Sequence, residues 1–138
     1  MPNDQLGKII IITPPSQLHN QNISFCLINI DEKSKNEFAE QLNKHILNED
    51  INVYVWDEAQ AKDDHIWLLN ACRSSTYIII DMETITNQLA ILSGYILTLP
   101  NTYYFNKGNS AVELLNRNKA SSMEQIFNKI NIGERNEQ

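Results

Sequence analysis

A chain of 138 residues, 42% hydrophobic and 20% charged, fits one globular domain, long enough to bury about two-thirds of its unfolded surface without metal or disulfide staples. With 11 Lys and Arg against 17 Asp and Glu the net charge is -6, so the surface repels phosphate backbones and anionic lipid, which argues against nucleic-acid and membrane partners. Cys26 and Cys72 lie in apolar segments without C-x-x-C spacing and read as reduced core thiols, and the N-terminal apolar run is too short for a signal segment, so a cytoplasmic protein is expected.

In chain order, Lys8 to Ile12 (KIIII) is a β-branched run stopped by Pro14 and Pro15, the pattern of a strand buried on both faces. Residues 16–23 are polar and turn-like, with no room for a helix before the next strand, Ser24 to Ile30. These two strands either pair as a hairpin or leave one of them at a sheet edge. Asp31 is placed to cap a helix over Glu32 to Asn48, whose apolar stripe is Phe38, Ala39, Leu42, His45 and Ile46. Ile51 to Trp56 is the third strand. Asp63 or Asp64 then caps a helix to around Arg73 that buries Ile66, Trp67 and either Leu69 or the pair Asn70 and Ala71.

Tyr77 to Asp81 is the fourth strand, and Thr84 or Thr86 caps an apolar helix that Pro100 ends. Thr102 to Phe105 is the fifth. Two capping boxes follow, Ser110 with Glu113 and Ser122 with Gln125; the second opens a helix carrying Met123, Ile126, Phe127 and Ile130. Alternation of strands and helices implies right-handed crossovers. The expected fold is therefore a three-layer α/β domain, Rossmann-like or flavodoxin-like, with a mostly parallel five-stranded sheet and helices on both faces. It spans residues 1–132, and residues 133–138 form a frayed charged tail.

Ligands of such folds sit beyond the carboxyl ends of the strands. Those ends carry Thr13, then Asp31 and Glu32, Asp57 and Glu58, Asp81 and Glu83, and finally Asn106 and Lys107. Carboxylates in such a ring suit a cation, a ribose or acid–base work, and they equally suit helix caps and turns. A nucleoside-like pocket would draw on Thr13, Asp57, Asp81 and Asn106. A phosphate loop is excluded: Gly7, Gly94, Gly108 and Gly133 fall in no nucleotide-binding pattern, and Pro14 and Pro15 lack N–H donors. His19, His45 and His65 have no metal-ligand spacing, so neither metal nor cofactor is expected. Ser93 and Gly94 sit inside a helix rather than at a nucleophile elbow, and their small size is expected to let that helix lie close to the sheet.

With no complete catalytic constellation, the expected function is a non-enzymatic interaction or assembly module. Tyr103 and Tyr104 point to opposite faces of one strand, so at least one face needs a cover that a helix or a partner subunit must provide. Together with Ile126, Phe127 and Ile130 they make the candidate interface for a protein partner or a second copy of the chain.

Three resemblances add to this reading. STYIIIDMETITNQLAILSGYILTLPNTYYF, residues 75–105, resembles the second half of the nucleoside 2-deoxyribosyltransferase fold, with LSGYI (Leu92 to Ile96) where that family has E-L-G-Y-A. The family's nucleophilic glutamate falls at Leu92, which implies a non-catalytic relative. LINIDEKSKNEFAEQL and YIIIDM resemble a response-regulator receiver, with Asp31 and Glu32 as the acidic pair and Asp81 as phosphoacceptor; against it, only four strands follow from Ser24, and the lysine-bearing fifth is missing. PPSQLHNQNISFCLIN with WLLNACRSS resembles small T4-like cyanophage proteins, which implies a phage accessory or virion-associated role.

Overall fold

The computed structural model describes residues 9–14, 23–45, 50–58, 65–81, 87–96, 98–105, 119–120 and 122–136. Within them, each β-branched or aromatic run forms a strand: β1 (Ile9–Ile12), β2 (Ile23–Ile28), β3 (Ile51–Trp56), β4 (Tyr77–Asp81) and β5 (Thr102–Phe105). A two-residue strand, β6 (Lys119–Ala120), joins them. The helices are α1 (Glu32–His45), α2 (His65–Ser74), α3 (Asn87–Ile96) and α4 (Met123–Asn136).

The sheet order is β1-β3-β2-β4-β5-β6 and every pairing is parallel. The hairpin alternative for the first two strands is thereby removed, because β3 lies between them and β1 takes the edge. From β2 onward the order is flavodoxin-like, the first strand of the series lying between the second and the third. β1 is an addition outside that pattern.

Consecutive residues of each inner strand feed opposite cores. Phe25, Leu27, Val53, Ile79 and Tyr103 pack with Phe38 and Leu42 of α1 and with Ile126, Phe127 and Ile130 of α4. Cys26, Ile28, Tyr54, Trp56, Ile80 and Tyr104 pack on the other face, against Leu68, Ala71 and Cys72 of α2 and Ile96 of α3. In the first core the Phe25 ring stacks on Phe127 at 5.7 Å between centroids and meets Phe38 edge-on at 5.1 Å.

This packing corrects the candidate interface. Tyr103 is 8% exposed, Ile130 3%, and Tyr104, Ile126 and Phe127 are fully buried. The cover that these side chains require comes from the chain's own helices, so they offer no surface to a partner. Other details also differ from expectation. In α2 the buried residues are Leu68, Ala71 and Cys72, while Ile66 is 76% exposed. Gly94 faces open space, so it is not there to bring α3 onto the sheet. The last helix continues past Gly133 to Asn136 in place of a frayed tail. Once a helix is nucleated each added residue gains a hydrogen bond, and good helix formers such as Glu134 and Arg135 offset a glycine's penalty of about 1 kcal/mol.

Two of the expected caps fall on described residues and both form. Asp31 Oδ1 accepts the Ser34 N–H at 2.8 Å, and Ser122 Oγ accepts the Gln125 N–H at 3.2 Å. The caps expected at Asp63 or Asp64, Thr84 or Thr86, and Ser110 lie outside the described residues. Asp31→Ala leaves one α1 amide without its acceptor and should lower unfolding free energy by about 1 kcal/mol in urea titration; an unchanged midpoint would show that solvent replaces the cap fully. The C-terminus of α3 is closed by Thr102, whose hydroxyl is shared between the Ile96 carbonyl at 3.2 Å and the Leu99 carbonyl at 2.9 Å.

Candidate functional site

The residues brought together at the β1 end of the sheet build a cavity of about 420 Å³. Its floor is Ile9 and Ile11 of β1, Leu27 of β2, and Val53 and Val55 of β3. α1 supplies the roof with Phe38, Ala39 and Leu42. The slot exists because the flavodoxin-like part of the fold sets α1 over β2 and β3, while the extra strand β1 extends the sheet beyond the helix. β1 is consequently under-covered: Ile9, Ile10 and Ile11 are 41%, 40% and 61% exposed, against the expectation of a strand buried on both faces.

At the carboxyl end of the strands the slot turns polar. Its mouth carries Thr13, Pro14, Glu32, Lys35 and Asp57. The Lys35 ammonium donates to Asp57 Oδ2 at 3.2 Å and lies 3.8 Å from Glu32 Oε1. Lys35 and Asp57 are each 24% exposed and Glu32 88%, so the pair is partly withdrawn from water while Glu32 remains in solvent. Asp31, immediately before, is committed to its cap.

Of the four expected pocket residues, Thr13 and Asp57 meet in this slot. Asp81 does not line it. It ends β4, separated from β1 by two strands, and it is 8% exposed. Asn106 lies outside the described residues. Beyond the carboxyl ends of β2 and β3 the chain closes on itself. Asn29 adopts φ 57°, a left-handed conformation that asparagine tolerates, and its side-chain carbonyl accepts the Glu58 N–H at 2.9 Å. Glu58 Oε1 accepts in return from Asn29 Nδ2 at 3.4 Å. The reciprocal pair ties the end of β2 to the end of β3.

Sequence reasoning missed Lys35 and the slot walls. A signal was present: Lys35 precedes Phe38, Ala39 and Leu42 by three, four and seven residues, which sets a cation on the apolar stripe of α1. It also missed β6, the fifth strand counted from β2, which does begin with a lysine, Lys119, paired in register with Tyr104. The receiver-like strand order is therefore complete, yet the acidic pair is not assembled, since Asp31 caps α1 and Glu32 faces solvent at the slot mouth. Among the described residues no group of three His, Cys, Asp or Glu side chains is placed to hold a metal ion, and no helix is long and apolar enough to cross a membrane.

Cys26 and Cys72, distant in sequence, touch between β2 and α2. Their mutual side-chain hydrogen bond and complete burial push the Cys26 thiol well above its ordinary range, which keeps it protonated and unreactive at neutral pH. Comparison with protein-family models, curated proteins and solved structures finds no match.

Proposed function

We propose that this protein is a non-enzymatic binding domain that receives a small, largely apolar molecule in the slot between α1 and the β1 edge. The observation that carries the reading is the slot itself. Its volume of about 420 Å³ lies within the range of about 300–1,000 Å³ usual for ligand pockets, with apolar walls and a few convergent polar groups at one end. A nucleoside-like molecule is one candidate ligand, since Thr13 and Asp57 offer a hydroxyl and a carboxylate beside an apolar wall. The reading is non-enzymatic because the acidic side chains that approach the mouth have structural work: Asp31 caps α1 and Asp57 holds Lys35.

The test is a thermal-shift panel of nucleosides and of aromatic and aliphatic small molecules. A ligand at 100 times its Kd adds about 2.7 kcal/mol, or about 5–15 °C for a domain of this size. A panel that leaves the midpoint flat would sink the slot reading.

A second reading, interaction with another protein, is favoured by the same edge strand. Among the described residues β1 pairs with β3 alone, and its exposed isoleucines stand on an edge that a further strand can engage. A flat panel combined with a sedimentation mass well above the chain's own 15.9 kDa would move the proposal there. Either reading accommodates the phage accessory role that the sequence resemblance implies.

A further inference from the structure

Resting on the slot reading above, we infer that the ligand carries a cationic head, a primary ammonium attached to an apolar body, and that Asp57 and Glu32 receive it. Among the described residues the walls of the slot are apolar side chains, which suit an aliphatic or aromatic body. Discrimination falls to the mouth, where two carboxylates share one ammonium. An incoming ammonium completes that set. An incoming carboxylate would have to draw Lys35 away from Asp57 and then lie beside two like charges in a partly desolvated place, which disfavours it.

The positive end of α1 is partly offset. The N-terminus of α1 points to the mouth, but Asp31 caps it at Ser34, and Glu32 stands in its first turn. The whole chain adds to the preference, with its net charge of -6 attracting cations to the cleft. Lys35 is thus an internal occupant of the cation position. Lys35 lines the slot with Phe38 and Ala39 and ends at Asp57, which is where an alkyl amine seated on the apolar walls would bring its own head.

Matched trios of an amine, a carboxylate and a neutral analogue on the same body test this by isothermal titration: tryptamine, indole-3-propionate and 3-ethylindole, with octylamine, octanoate and octanol as a second body. The expected result is that the amine of at least one trio binds about ten-fold or more tighter than its carboxylate. Lys35→Met, which frees both carboxylates, should tighten amine binding further, and Asp57→Asn should erase or reverse the preference. Equal affinities in every trio that binds, or a preference for the carboxylate in either, would overturn the inference while leaving the slot as a binding site. Failure of every compound to bind both the native protein and Lys35→Met, with circular dichroism showing both folded, would overturn the inference and the slot reading together.

Discussion

Phe127→Asp should abolish the folded state. The side chain is fully buried, stacked on Phe25 and tilted against Phe38 with centroids 5.7 Å away in each case. Truncating such a phenylalanine to alanine costs about 3–5 kcal/mol, and an unpaired carboxylate in the same place adds the cost of desolvating a charge. A domain of this kind has about 5–15 kcal/mol in total. The variant should therefore show no cooperative unfolding transition by circular dichroism, whereas Phe127→Leu should retain one at a lowered midpoint. Were Phe127 part of an interface, Phe127→Asp would instead give a well-folded protein of altered mass. That outcome would contradict the packing of α4 described above.

Ala39→Trp should block the slot. Ala39 is exposed on α1 and lines the cavity between Phe38 and Leu42, so a larger side chain there can turn into the empty space without displacing the core. The helix pays at most about 0.7 kcal/mol in propensity, and covering apolar wall returns about 25 cal/mol for each Å² removed from water. The expected result is a thermal midpoint at or above that of the native protein, together with loss of about 90% or more of the affinity for whichever compound the native protein binds. Retention of full affinity in a folded Ala39→Trp would place the ligand somewhere other than the slot.

The fold was legible because its strands are written as continuous Ile, Val and Tyr runs between turn signals, and because runs of that kind alternate with helical stripes. What escaped were features without an apolar signature. β6 is Lys119 and Ala120 alone, placed in the sheet by its pairing with β5, and two residues of that kind make no apolar run. The phase of α2 was misjudged because Ile66, Trp67, Leu68 and Leu69 are all apolar, so the burial of Leu68 rather than Ile66 is decided by where the helix meets β2.

The site was half legible. Thr13 and Asp57 were found as residues at strand ends, but which ends are neighbours depends on the strand order, and no local pattern encodes that order. Asp81 shares the rim with them and still falls two strands away from β1. The candidate interface failed for a related reason: an amphipathic stripe such as Ile126, Phe127 and Ile130 has the same spacing whether its cover is a partner or the protein's own sheet. Lys35 escaped because a lysine at the margin of the α1 stripe has the same local spacing whether its head meets water or a carboxylate on the neighbouring strand.

The position of β1 outside the flavodoxin-like order has a kinetic consequence. The strand is four residues long, among the described residues it is joined to the sheet through β3 alone, and its first three side chains keep much of their contact with water. Detaching it breaks one short ladder and withdraws Ile12 from the second core while the central strands keep their packing, so it belongs to the least stable cooperative unit of the fold. Because Ile9 and Ile11 form one wall of the slot, each excursion of that strand converts an enclosed cleft into an open shelf. Entry and departure of a ligand can then proceed at the frequency with which a peripheral strand opens, while the central strands and the helices that cover them stay closed.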